Sequence, residues 1–124
     1  MPATFAQDTD GLLTMTVSGQ LRKADLDAAQ ACAAAAIARH GKVRTLVLAE
    51  GFQGWESGQD WGDLGFMMAH DHEIEKIAVV GPVSWRDEVL MFLGAGIRAA
   101  TVRYFGLDEL ELARFWAGAS DSAR

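Results

Sequence analysis

The side chains that could do chemistry in this sequence are few, and their densest group is His70-Asp71-His72-Glu73. Imidazole and carboxylate groups are common metal ligands. On a helix, however, residues two apart point in nearly opposite directions, so a third ligand would have to come from another part of the chain. His40 is the only further histidine. The spacing therefore favours a solvated helix end, and we expect no metal site.

Nucleophilic catalysis would need a serine or cysteine beside a base and an orienting group, and no Gly-x-Ser-x-Gly or Cys-His signature is present. Cys32 lies inside an alanine run, where a small hydrophobic side chain needs no further role. The segment 51–58 is rich in glycine but lacks the lysine and spacing of a phosphate-binding loop. We therefore assign no catalytic residue.

Large apolar side chains form the richest feature of the sequence. Six of them follow a predicted central strand: Phe52, Trp55, Trp61, Phe66, Met67 and Met68. A helix is predicted over 58–71, because Ser57 followed by Asp60 resembles a capping box. One face of this helix is sufficient to cover the sheet, which leaves Phe66 and Met67 for a pocket or a subunit interface. Core packing is the alternative, since methionine and aromatic residues fill irregular interiors well.

The elements that must position these residues alternate along the chain. Strands are predicted at 5–7, 12–18, 43–49, 76–80 and 101–105, and a loop at 50–55. Asp10-Gly11 suits a hairpin turn between the first two strands. Helices are predicted at 23–40, ended by Gly41, at 58–71, and between Ser84 and Gly94. The pattern predicts an α/β fold in which an initial β-hairpin is followed by βα units, with one mixed sheet and about four helices.

The last helix has a local start signal. Asp108 is the predicted N-cap, and Glu111 follows three residues later. Leu112, Phe115 and Trp116 are predicted to dock this helix on the core. The polar end at 120–124 is expected to fray.

Composition sets limits on the class of protein. The chain has 124 residues, of which 50% are hydrophobic, and this suits a single domain over 1–124. A formal net charge of −6 without a basic cluster argues against nucleic acid as a partner. One cysteine, the lack of a signal-like start and the lack of a transmembrane segment predict a cytoplasmic protein.

Three segments carry a resemblance to a known family: "GKVRTLVLAEGFQGW", "IEKIAVVGPVSW" and "VRYFGLDELELARFWAG". In the order of their strands, glycines and aromatic residues they resemble the SpoIIAA-like branch of the STAS family (sulfate transporter and anti-sigma factor antagonist), which is sometimes grouped with lipid-binding SEC14 domains. The resemblance implies a mixed sheet with helices, a bacterial cytoplasmic protein, frequent homodimers and no cofactor.

The resemblance also points to a candidate phosphorylation site. Anti-sigma factor antagonists carry Asp-Ser-Ser-Gly at a helix start, and a partner kinase phosphorylates the second serine. Here the matching positions read Trp55-Glu56-Ser57-Gly58. Ser57 is therefore the candidate phosphosite, although the acidic Glu56 and Asp60 would repel a phosphate there. An ordinary N-cap serine is the preferred interpretation.

Two functions follow as hypotheses. The first is a non-enzymatic regulatory or protein-interaction module that binds itself or another protein through the surface at 55–68. The second is a carrier or sensor of a small hydrophobic or lipid-like ligand, with the helix at 58–71 as a lid over an apolar cavity.

Overall fold

A computed structural model describes residues 3–7, 12–56, 71–93 and 100–118. Its strands are β1 (Ala3–Gln7), β2 (Leu12–Leu21), β3 (Val43–Trp55), β4 (Ile74–Val80) and β5 (Thr101–Phe105). Its α-helices are α1 (Lys23–His40), α2 (Arg86–Phe92) and α3 (Leu110–Gly118), and short 3₁₀ turns occupy Asp71–Glu73, Val83–Trp85 and Leu107–Glu109.

The five strands form one mixed sheet in the order β1-β2-β3-β4-β5. The β1 and β2 strands pair in antiparallel fashion, and every later neighbouring pair is parallel. Two of the three parallel pairs follow from the described helices, because α1 joins β2 to β3 and α2 joins β4 to β5, and each returns the chain to the same end of the sheet. The predicted α/β class, with an initial hairpin followed by βα units, is confirmed.

The sheet buries both of its faces, and alternate residues of each strand face opposite ways. The first face, here called the α1 face, packs against α1 and α2 through a core that includes Val17, Val43 and Val79. The opposite face, here called the α3 face, packs against α3 through a separate core that includes Leu46 and Phe105. Val43 and Leu46, whose side chains have no exposure, lie on the central strand β3.

The predicted loop at 50–55 is wrong, since β3 continues through Trp55. The extension pairs with the end of β2, and Phe52 lies opposite Gly19 and Trp55 opposite Leu21, across two irregularities in register. Gly54 has a φ of +100°, a backbone conformation that glycine adopts without strain. Glycines that suggested a loop instead allow a bent strand.

The predicted docking face of α3 is also wrong in part. Leu112 and Phe115 are 52% and 76% exposed, whereas Ala113 and Ala117 are fully buried against the sheet. Small side chains let the helix approach the sheet closely, and only Trp116 of the three predicted residues packs there.

The start of the last helical segment lies earlier than predicted. Gly106 N–H donates a hydrogen bond to Glu109 Oε1 at 2.8 Å, and Glu109 N–H donates to the Gly106 carbonyl at 2.9 Å. Gly106 therefore takes the N-cap position predicted for Asp108, because the chain enters a 3₁₀ turn before α3.

Several predictions fall outside the described residues: the hairpin turn at Asp10-Gly11, the helix at 58–71 except its last residue, and the frayed end at 120–124. Asp71, that last residue, begins a 3₁₀ turn instead. Within the described ranges no helix is long and apolar enough to cross a bilayer.

The start of α1 is held by an ion pair that sequence reasoning did not anticipate. Asp25 is 6% exposed and accepts hydrogen bonds from Arg22 N–H at 3.1 Å and from Arg22 Nε at 3.3 Å. Burial raises the pKa of the Asp25 carboxyl, but the hydrogen bonds and charge of Arg22 outweigh it, so the pKa lies below its ordinary value. The folded state therefore favours the Asp25 carboxylate.

We expect Asp25→Asn to lower the thermal midpoint at pH 7 by a few degrees. A carboxyl with a lowered pKa in the folded state stabilises the fold above the unfolded pKa of about 3.9, and this contribution is lost as the pH falls through the folded value. The difference between wild type and variant should therefore shrink below about pH 4. Asp27→Asn is the control, since its exposed ion pair with Lys23 contributes little. Equal effects of the two variants at pH 7 would contradict the prediction.

Candidate functional site

The α1 face of the sheet contains an apolar cavity of about 80 Å³ that is partly open to solvent. Twelve side chains of the described residues line it, and all are apolar: Met15, Val17, Leu21, Leu26, Val47, Ala49, Phe52, Trp55, Val79, Val89, Phe92 and Leu93. The volume is several times what one water molecule needs, but a water molecule would also need polar partners to stay there. The wall chemistry therefore suits an apolar occupant.

The floor of the cavity is a row of three cross-strand neighbours. Met15 of β2 lies opposite Val47 of β3, and Val47 lies opposite Val79 of β4. Val17 and Ala49 follow two residues further along their strands, so they extend the same face. The floor is rigid because each of its residues belongs to a hydrogen-bonded strand.

The side walls come from both helices that cover this face. Leu26 of α1 forms one wall, and Val89, Phe92 and Leu93 form the other, at α2 and its end. The cavity thus lies beside the start of α1, toward the carboxyl ends of the parallel strands. Its floor is the face of the sheet itself, between the two helices.

Aromatic rings form one end of the cavity. Phe52 and Trp55 contact edge to face, with centroids 5.1 Å apart and an interplanar angle of 86°. Trp85 lies 5.2 Å from Phe52, and Phe92 lies 5.1 Å from Trp55, so the rings connect β3 to α2. A Cβ atom at Gly54 would lie 3.0 Å from Trp85 Cη2. The positive φ of Gly54 and the missing side chain together make room for this aromatic cluster.

Trp55 introduces one polar atom into this apolar surrounding. Its Nε1 is buried and finds no hydrogen-bond acceptor among the described residues. An unpaired buried donor costs about 1–3 kcal/mol. The aromatic cluster is therefore not optimised for stability alone.

The α3 face carries buried positive charge. Lys76 is 4% exposed, and its Nζ donates to the Trp116 carbonyl at 3.0 Å while lying 5.0 Å from the centre of the Trp116 ring. Arg44 donates to the Gly118 carbonyl. These two cations neutralise the negative end of α3, where the last carbonyls lack helical partners. Their role is to fix α3 on the sheet.

A metal centre is not assembled by the described part of the chain. No group of three or more His, Cys, Asp or Glu side chains lies together there. His72 is exposed in the turn Asp71–Glu73, and His40 is exposed at the end of α1. His70 lies outside the described residues.

The structure brings together two of the predicted site residues. Phe52 and Trp55 contact each other and line the cavity. The other candidates lie outside the described residues: Ser57, Trp61, Phe66, Met67 and Met68. Sequence reasoning did not single out the strand residues of the floor, such as Val47, or the α2 residues of the wall. No sequence signal separates these roles, because a cavity wall and a filled core have the same apolar pattern.

Comparison with known proteins places this geometry in a family. The SpoIIAA-like family model matches residues 12–118. Among solved structures, an uncharacterized protein of the DUF3478 family from Shewanella loihica PV-4, described as having a SpoIIAA-like fold, is similar with a TM-score of 0.69. The similarity covers 93% of this chain and 91% of that chain at 16% sequence identity. At this identity the comparison shows a shared fold and nothing more. No curated protein matches the sequence. Since the matched region includes four of the five strands and all three described helices, the chain belongs to the SpoIIAA-like family.

Proposed function

We propose that this protein is a non-enzymatic binding module, a carrier or sensor that takes a small apolar ligand into the cavity on the α1 face. One observation carries the proposal: among the described residues, twelve apolar side chains from three strands and two helical segments line about 80 Å³ of partly open space. Close-packed interiors contain few voids larger than a water molecule, and a void forfeits dispersion contacts along its walls. An apolar ligand would restore those contacts.

The location of the cavity supports the same proposal. It lies on the α1 face between α1 and α2 and is partly open, so a ligand can reach it from solvent. Trp55 and Phe52 lie at its aromatic end, so a ligand would contact the side chains that the sequence singled out. The composition fits a cytoplasmic carrier that holds no cofactor.

A second candidate is self-association, or binding to another protein in a regulatory role. Exposed apolar side chains favour it: Val83 and Met91 are 80% and 82% exposed, and Phe115 is 76% exposed. Native mass spectrometry of the purified protein reports subunit number and retained ligand together. A homodimer would support this second candidate, and a ligand-free monomer would count against both.

The decisive test of the cavity uses xenon as an apolar probe. We expect xenon to shift the methyl resonance of Met15 in wild-type protein, because xenon enters dry apolar cavities. Val47→Phe should abolish the shift by filling the floor. Leu48→Phe is the matched control, since Leu48 packs on the opposite face of the sheet and its variant should keep the shift.

Circular dichroism establishes that both variants are folded. Val47→Leu, a smaller change, keeps the test available if Val47→Phe does not fold, and it should reduce the shift. An unchanged Met15 resonance in wild-type protein under xenon would overturn the proposed function.

A further inference from the structure

The size of the cavity restricts what can enter it. An apolar cavity of about 150 Å³ accommodates benzene. The cavity on the α1 face offers about 80 Å³, roughly half of that. A planar ring could enter completely only by displacing walls whose floor belongs to hydrogen-bonded strands, and forcing additional volume into packed apolar surroundings is unfavourable. The volume therefore selects against rings.

The opening restricts the ligand in a second way. Since the cavity is partly open to solvent, a ligand longer than the cavity can leave its remainder outside. Among the described residues, Trp55 is the only side chain of the wall with a polar atom, and its Nε1 is itself buried, so the part of the ligand that these residues enclose can carry neither charge nor hydrogen-bonding groups. Any polar group of the ligand must therefore stay at the opening.

We propose that the ligand is an unbranched alkyl chain, whose terminal methylenes occupy the cavity while its polar end remains in water. This inference rests on the proposed function and names the ligand class of the same site. A chain is narrow enough to fill a small volume one methylene at a time, whereas a ring requires the full volume at once. Free fatty acids and phospholipids both supply such a chain.

A chain-length series tests the ligand class. Straight-chain alcohols from 1-butanol to 1-dodecanol are titrated into wild-type protein, and the Met15 methyl resonance reports the dissociation constant. Each added methylene that enters the cavity should lower the dissociation constant about fourfold, the change that burial of one CH₂ produces. Once the cavity is full, further methylenes remain in water and the dissociation constant should level off. A decrease that continues through the whole series would indicate adsorption to the surface and would overturn the inference.

Rings of equal carbon number provide the contrast. Benzyl alcohol should bind at least about fivefold more weakly than 1-heptanol, the fold-change that matches the lower end of overpacking costs. Tighter binding of benzyl alcohol would overturn the alkyl-chain inference and leave the proposed function intact. Failure of xenon and of every alcohol would instead remove the proposed function itself.

Two further experiments distinguish the two sources of the alkyl chain. Dodecanoate below its micellar concentration represents a free fatty acid, and phosphatidylcholine vesicles represent a bilayer lipid. Competition of dodecanoate with 1-octanol, without sedimentation of the protein with vesicles, would assign the free chain. Sedimentation with vesicles that Val47→Phe abolishes and Leu48→Phe preserves would assign the lipid. Either result supports the inference, and the absence of both would overturn it.

Discussion

Replacing Phe52 with alanine is expected to lower the free energy of unfolding by about 3–5 kcal/mol, the range typical of buried aromatic residues. Phe52 is 7% exposed and contacts the rings of Trp55 and Trp85. Its removal would join new empty space to the existing cavity, and rigid strands prevent the walls from collapsing. Whole domains are stable by only about 5–15 kcal/mol, so urea denaturation should show a large decrease in the midpoint.

The control for this effect is the same substitution at an exposed site. Phe115 is 76% exposed, so Phe115→Ala should change the free energy of unfolding by no more than about 0.5 kcal/mol. A second measurement links the loss to the cavity: benzene should raise the midpoint of Phe52→Ala more than that of wild type, because the enlarged space accommodates a ring. Similar losses in the two alanine variants would show that Phe52 does not support the cavity.

The second large effect is expected on the opposite face of the sheet, at Lys76. We expect Lys76→Met to lower the free energy of unfolding by about 1.5–3 kcal/mol, the contribution typical of a hydrogen bond to a charged group. Methionine keeps the apolar stem but cannot donate to the Trp116 carbonyl at the end of α3. The cation over the Trp116 ring is lost as well.

An opposing effect could change the sign of this result, because replacing a buried charge by an apolar side chain leaves the stability unchanged or raises it in some proteins. The helix end decides the sign here, since the methionine variant leaves a helix-terminal carbonyl without its donor. Lys42→Met is the matched control at an exposed lysine, with an expected change of no more than about 0.5 kcal/mol. A Lys76→Met protein as stable as wild type in urea would show that the cation is not needed to hold α3.

Local signals were sufficient to predict the elements that depend on neighbouring residues. The α1 helix has the predicted bounds, Lys23–His40, because an alanine-rich run and a following Gly41 determine it without distant contacts. The β5 strand likewise matches its predicted bounds, since β-branched and aromatic residues follow one another there. Because such local signals agree along the chain, the sequence alone was sufficient to predict the α/β class and the family resemblance.

Elements that depend on distant partners were predicted less well. The extension of β3 through Trp55 exists because β2 pairs with it, and the glycines of this segment suggested a loop when read alone. The α3 helix presents Ala113 and Ala117 to the sheet, although its larger side chains Leu112 and Phe115 suggested another face. In both cases the partner surface decided between two patterns that the sequence allows.

What the sequence by itself determined about this protein is its class and the order of its described elements, and it singled out Phe52 and Trp55 as candidate site residues. Only the tertiary structure decided that these two rings end a cavity whose floor is Met15, Val47 and Val79. The physical reason is that empty space is a property of side chains from several elements that meet across the sheet. An apolar residue has the same pattern along the chain whether its neighbour in space is another side chain or a void.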